Sequence, residues 1–208
     1  PCIGKSRLIN EAEKAIRARS PTVRVLHGRS LESGQGLVHS ALAEILRESC
    51  GVALDDSRAV VLAKFQDGLG EALEPLRLAG PDLATTVAAL AATAAVTLPG
   101  SPLRTAEPRA LAEEQTRAWS RFASALGAAG PTLIVLEDLH WAADQLLHTV
   151  GRLIARSIGP VLVLATARPP FLEHPAAFGA GNSRFSAISL RATTPPPAHR
   201  WADSRPPT

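Results

Sequence analysis

The chain has 208 residues, of which 46% are hydrophobic and 20% are charged, a balance typical of one globular domain with its own core. This composition excludes a chain that is disordered throughout, a collagen-like repeat and a coiled coil. The formal net charge of +3 arises from 22 basic and 19 acidic residues, an excess too small to indicate a nucleic-acid-binding surface.

The first part of the chain predicts helices and one strand. Apolar residues recur every three or four positions over residues 5–19, the period of a helix with one buried face. The short β-branched run at residues 22–26 lies between Pro21 and Gly28, which is typical of a strand. Helical spacing then covers residues 37–48, 58–78, 84–98 and 107–126.

Two continuous apolar runs in the second part predict buried strands. Residues 131–136 and 161–165 are apolar on both faces, as strands are inside a parallel sheet that helices cover. Residues 143–158 predict the connecting helix of a right-handed βαβ unit. Residues 185–190 are a candidate for one more short strand. The predicted fold class is therefore α/β.

The last part of the chain has a different composition. Residues 191–208 are rich in proline and have no apolar period. Such a segment buries too little apolar surface to offset the entropy lost on ordering. We therefore expect a domain over residues 1–190 and a disordered tail over residues 191–208. A shift of the reading frame would also explain the change in composition after residue 190.

The start of the first helix indicates a phosphate-binding loop. Gly4, Lys5 and Ser6 match the end of the pattern G-x-x-x-x-G-K-[ST], whose first glycine would precede Pro1. In such a loop, backbone N–H groups bind phosphate, the lysine reaches the β and γ phosphates, and the hydroxyl ligates magnesium. The alternative is an ordinary helix start with an incidental lysine.

Polar residues follow both predicted buried strands. Glu137 and Asp138 come after the strand at residues 131–136, while Thr166 and Arg168 come after the strand at residues 161–165. Ligands bind where the carboxyl ends of parallel strands meet, so these side chains are expected at a binding edge. Individually they are also explained by an acidic helix cap and a solvated arginine. Their order along the chain favours a nucleotide site.

Several segments resemble the AAA-like ATPase domain of STAND-type signalling proteins, found in large LuxR-type transcriptional regulators and beside nucleotide cyclase domains. The sequence at residues 3–8 is similar to the end of that family's phosphate loop, and residues 135–142 are similar to its Walker B segment. Other similar segments are residues 25–30, 42–47 and 164–169, the last resembling the sensor 1 segment. The resemblance covers about residues 1–190, with residues 50–110 matching only as helices.

The resemblance implies a three-layer P-loop NTPase fold that binds ATP and Mg²⁺. It assigns nucleotide binding to Ile3, Gly4, Lys5, Ser6, Arg7 and Thr166. It assigns metal binding to Ser6, Glu137 and Asp138, and catalysis to Glu137, Asp138 and Arg168, the last as a sensor of the γ-phosphate. Which acid ligates the metal and which serves the attacking water stays open. The order Glu then Asp reverses the commoner order, which favours slow hydrolysis.

The chain also departs from that family. The family's sheet order is 5-1-4-3-2, and its first strand would lie before Pro1. Cys2 stands where the family usually has glycine. We therefore expect the first strand to be missing from the sheet and the chain to be a fragment. For His140 and Trp141 the residues give no chemical role beyond packing.

Two functions fit these observations. The first is an ATP-binding switch domain of a signalling or transcriptional regulator, and the second is a non-catalytic remnant that acts as an interaction surface. Nucleotide binding separates them. The expected partners are a nucleotide and effector domains of the same parent chain, and self-association stays open.

Other partners find no support in the sequence. No recognition helix for nucleic acid is visible. The uncharged run at residues 83–103 is interrupted by Pro99 and Gly100, so it does not indicate a membrane span. The 2 cysteines lack a C-x-x-C spacing, and no signal peptide is visible, which favours a cytoplasmic location.

Overall fold

The computed structural model describes residues 4–32, 38–168, 171 and 184–190. The helices in these residues are α1 (Lys5–Arg19), α2 (Ser40–Ser49), α3 (Arg58–Leu73), α4 (Gly80–Thr93), α5 (Pro108–Ala129) and α6 (Asp144–Arg156). The strands are β1 (Arg24–Arg29), β2 (Thr132–Glu137) and β3 (Val161–Ala165), and short 3₁₀ turns cover Glu74–Leu76 and Leu139–Trp141.

The three strands form one parallel sheet in the order β1-β2-β3. The register places Arg29 opposite Glu137 and Leu136 opposite Ala165, so the three carboxyl ends meet at one edge. This order corresponds to strands 2, 3 and 4 of the order that the resemblance implies. The predicted α/β fold with a parallel sheet is confirmed.

The sheet separates two apolar cores. Leu133 and Val135 of β2 face α1, where they pack with Ile9 in a small cluster. Ile134 and Leu136 point to the opposite face and join a larger cluster with buried residues of α2 to α6. Because successive side chains of a strand point to opposite faces, one apolar strand supplies both cores. Helices therefore cover the sheet on both sides.

The two outer edges of the sheet differ. On β1, the N–H of Arg29 donates to Glu44 Oε2 at 2.8 Å and the N–H of His27 donates to Glu48 Oε2 at 3.3 Å. Carboxylates of α2 therefore satisfy donors that a free edge would expose. The other edge of β3 has no partner strand among the described residues, and Leu162 on that strand is 48% exposed.

Two predicted boundaries are wrong, one because of a tertiary contact and one because of a local backbone conformation. The strand predicted at residues 22–26 runs from Arg24 to Arg29, since α2 binds its outer edge. The helix predicted at residues 84–98 spans Gly80–Thr93 instead, because the left-handed Ala95 (φ 59°) ends it before the predicted stop.

Two further predictions differ from the structure. The helix predicted over residues 58–78 ends at Leu73 and continues as a 3₁₀ turn containing Pro75, which has no N–H to continue the α-helical pattern. Residues 185–190 are irregular rather than a strand, and they are exposed except for a half-buried Phe185.

Some predictions fall outside the described residues: the tail at residues 191–208, the contribution of Ile3 and the start of the helix predicted at residues 37–48. Within the part of the chain that is described, no helix combines the length and the apolar character needed to cross a bilayer.

Candidate functional site

The segment after β2 is held by Thr166, which follows β3. Asp138 has a left-handed backbone (φ 58°), and its N–H donates to Thr166 Oγ1 at 3.1 Å. The N–H of Leu139 donates to the Thr166 carbonyl at 2.8 Å, and the Thr166 N–H donates to the Leu136 carbonyl at 2.9 Å. Thr166 thereby fixes the direction in which the chain leaves β2.

Glu137 and Asp138 stand at the carboxyl edge in different environments. The Glu137 side chain is 22% exposed, and its Oε1 accepts a hydrogen bond from Arg29 Nη2 at 3.3 Å across the β1–β2 pair. The Asp138 side chain is 38% exposed. Both carboxylates can therefore be reached from solvent at the edge where ligands of parallel sheets bind.

Three side chains are stacked beside these acids. The rings of His140 and Trp141 lie 4.8 Å apart between centroids, and the guanidinium carbon of Arg168 lies 5.7 Å from the Trp141 ring centroid. That distance lies within the range of a cation–π contact. Trp141 thus joins the end of the β3 segment to the turn that follows β2.

The electrostatic surroundings of His140 connect the site to the start of α1. Burial lowers the pKa of His140, and the positive charges of Arg168 and Lys5 lower it further, against the opposing effect of Asp138. The ring is therefore uncharged near neutral pH. Lys5 belongs to the first turn of α1, which therefore lies near enough to the ring for this charge to act on it.

The start of α1 presents backbone donors. Gly4 is left-handed (φ 78°), the backbone region in which glycine is favoured. No side chain of the described residues caps the helix, and its first turn contains no acidic residue. The first N–H groups of a helix have no partner inside the helix and attract negative charge.

The structure brings most of the predicted residues to this edge. Asp138 and Thr166 are in direct contact, and Arg168 reaches the same cluster through Trp141. Lys5 acts on it through its charge. Their functions stay predictions.

Ser6 and Arg7 are less well connected. Both are exposed on α1, and Arg7 lies beside Asn10, Glu11 and Lys14 on the solvent side of that helix. None of the described hydrogen bonds or ion pairs links either side chain to the strand ends.

Sequence reasoning missed Arg29 and gave no chemical role to His140. Arg29 lies opposite Glu137 in the register, which a strand continued to residue 29 would have indicated. His140 is buried beside the ring of Trp141, and no pattern in the neighbouring sequence predicts this contact.

The residues fit Mg²⁺ and a nucleotide. Carboxylates and a hydroxyl are the hard oxygen ligands that Mg²⁺ prefers, usually together with phosphate oxygens and water. Among the described residues no group of three His, Cys, Asp or Glu side chains forms a complete metal cage. Mg²⁺ at this edge would therefore be held through Ser6, Glu137 or Asp138 together with the phosphates of a nucleotide.

Replacing Thr166 by valine tests the hydrogen bond between its hydroxyl and the Asp138 N–H. Valine keeps the shape of threonine but leaves the Asp138 N–H without its acceptor, so we expect the free energy of unfolding to fall by about 1 kcal/mol. Thr166→Ser, which keeps the hydroxyl, should lose less. Urea unfolding followed by circular dichroism measures the difference. Equal losses in the two variants would show that the hydroxyl contributes nothing.

Comparison with known proteins places the chain in a family. An uncharacterized protein of Rhizobium meliloti (strain 1021) is 29% identical over 177 residues, which cover 81% of this chain and 16% of that protein. The chain thus spans about a sixth of the length of this relative. No solved structure matches. Residues 1–164 match the family model for the AAA ATPase domain. The chain therefore belongs to the AAA ATPase domain family.

Proposed function

We propose that this chain is an ATP-binding switch domain of a signalling or transcriptional regulator, of the STAND type found in large LuxR-type proteins and beside cyclases. The main support is that the ends of β2 and β3 are joined at the carboxyl edge of the sheet, where the Asp138 N–H donates to Thr166 Oγ1 and Arg168 lies over the Trp141 ring. Lys5, in the first turn of α1, lies near enough for its charge to lower the pKa of His140 beside them. Family membership supports nucleotide use in general.

The proposed roles follow from chemistry and position. Lys5 binds the β and γ phosphates beside the first N–H groups of α1, and Ile3, Gly4 and Arg7 are the other residues proposed to bind the nucleotide there. Ser6, Glu137 and Asp138 supply oxygen ligands for Mg²⁺, which when bound neutralises negative charge on the phosphates.

Arg168 and Thr166, at the end of β3, have different proposed roles towards the nucleotide. Arg168 has no ion pair among the described residues, so its guanidinium is available for the γ-phosphate. Thr166 holds the acidic segment in position. Of the two acids, one ligates the metal and the other orients the attacking water. Glu137 is already paired with Arg29, which supports slow hydrolysis.

In a switch, the bound nucleotide selects between two arrangements of attached domains. This chain covers 16% of its relative, so effector domains in the remainder of such a protein are the proposed partners. A second candidate function is an interaction surface without nucleotide chemistry. It is supported by the edge of β3, which lacks a partner strand among the described residues and carries the exposed Leu162.

Binding of a nucleotide by the full chain decides between the two. We expect calorimetric titration to show binding of a non-hydrolysable ATP analogue with Mg²⁺, and at least tenfold weaker binding when EDTA removes the metal, since the acids then face phosphate without a bridging cation. A control titration with inorganic phosphate measures non-specific anion binding. Affinity that is no greater for the nucleotide than for phosphate would favour the interaction surface.

A further inference from the structure

The imidazole of His140 has hydrogen-bonding capacity that the described residues do not use. The side chain is only 10% exposed, and neither Nδ1 nor Nε2 has a hydrogen-bond partner among the described residues. The nearest acid is Asp138, whose Oδ1 lies 3.9 Å from Nδ1, beyond hydrogen-bonding distance. Because buried polar atoms are normally paired, these nitrogens need an explanation.

The charged groups near the ring suggest an explanation for its unpaired nitrogens. Arg168 lies over the ring of Trp141, the stacking neighbour of His140, and Lys5 lies near enough for its positive charge to lower the pKa of His140, while neither cation forms an ion pair with any described residue. Asp138 opposes them as the acid of the cluster. Trp141 covers the ring as its stacking neighbour. Within the described part of the chain, a buried ring with an unused N–H thus lies beside Arg168 at the carboxyl edge of the sheet, and Lys5, in the first turn of α1, is a second cation without an ion pair.

A group that would use all of these donors is an anion with several oxygen acceptors. An imidazole carries at least one N–H donor in either protonation state, and a hydrogen bond to a charged acceptor is stronger than one between neutral groups. We propose that His140 donates a hydrogen bond to the terminal phosphate of a bound nucleoside triphosphate and thereby favours triphosphate over diphosphate. This inference rests on the proposed function, to which it adds a specificity-determining residue.

A second buried histidine separates this role from simple packing. His39 precedes α2, is 6% exposed and also lacks partners at both ring nitrogens. Burial alone lowers the pKa of His39, whereas the pKa of His140 is also lowered by Arg168 and Lys5, which belong to two other segments. Unpaired nitrogens are therefore common to both residues, and of the two only His140 lies beside cations that have no ion pair with the described residues. His39 is a matched control.

The test compares the affinities of the full chain for the Mg²⁺ complexes of a non-hydrolysable ATP analogue and of ADP. His140→Phe keeps an aromatic ring against Trp141 but removes both nitrogens. We expect it to weaken binding of the triphosphate analogue about tenfold and to change ADP binding less than about twofold. His140→Gln, which retains a donor, should recover most of the preference. His39→Phe should leave the preference unchanged.

Each outcome bears on a different proposal. If the unaltered chain binds neither nucleotide, the proposed function and this inference both fail. If it binds both and His140→Phe keeps the same preference, or weakens both nucleotides equally, this inference alone is wrong. Should His140→Phe not fold, nitrogen-15 resonances of the His140 ring in the unaltered chain provide the second measurement. A shift with the triphosphate analogue and none with ADP supports the contact, and identical spectra overturn it.

Discussion

Lys5→Ala should weaken binding of Mg²⁺-ATP by roughly a hundredfold, because it would remove the proposed charged hydrogen bond to the phosphates, worth about 1.5–3 kcal/mol. Lys5 lies in the first turn of α1, and its charge reaches His140 at the edge of the sheet. Alanine is a good helix former, so the helix itself should be preserved. Calorimetry with the non-hydrolysable analogue measures the loss.

Lys14→Ala is the control for this variant. Lys14 lies on the same helix, is 72% exposed and pairs with Glu11 at 2.9 Å on the solvent side. Its loss changes the net charge by the same amount without touching the proposed loop, so affinity should stay within about twofold of the unaltered chain. Equal affinity losses in the two variants would contradict the phosphate-loop assignment and indicate only a general electrostatic effect.

Gly28→Ala should strongly destabilise the fold. A Cβ atom at residue 28 would lie 2.2 Å from the carbonyl oxygen and 2.8 Å from the carbonyl carbon of Ala41, both backbone atoms of α2. Rotation of a side chain cannot relieve that contact, so strand and helix must move apart. We expect a loss of about 3 kcal/mol, or a melting temperature lower by about 10 °C. Thermal unfolding followed by circular dichroism measures it.

Gly151→Ala provides the opposite case in the same protein. Gly151 lies within α6, and a Cβ atom there would have no neighbour within 4 Å. Replacing a helical glycine by alanine should raise stability by about 0.5–1 kcal/mol. A Gly28→Ala variant that melts as high as Gly151→Ala would mean that α2 does not pack on β1 as closely as described.

The elements that the sequence predicted well are those whose patterns are set by the core. The bounds of β3 agree with the prediction, and α1 also spans the predicted residues 5–19. In a strand that is apolar on both faces and in a helix with one apolar stripe, the pattern of the element's own residues indicates which faces are buried. These patterns remain visible without knowledge of any partner.

The failed boundary of β1 depends on distant residues. The second half of β1 contains Gly28 and the polar His27 and Arg29, so no strand pattern is visible there. It is a strand because Glu44 and Glu48, on a helix further along the chain, accept its outward N–H groups. The same limit applies to the site. Asp138 and Thr166 were expected at one edge from topology, whereas the pairing of Arg29 with Glu137 required the extended register.

The left-handed backbone of Asp138 determines how mutations at this position must be interpreted. Asparagine adopts this region readily and has nearly the same shape, so Asp138→Asn removes the negative charge and leaves the turn intact. Alanine adds a conformational penalty of about 1–2 kcal/mol in the left-handed region. A loss of activity in Asp138→Ala would therefore combine a distorted turn with a missing carboxylate. The asparagine variant alone isolates the electrostatic contribution of that acid.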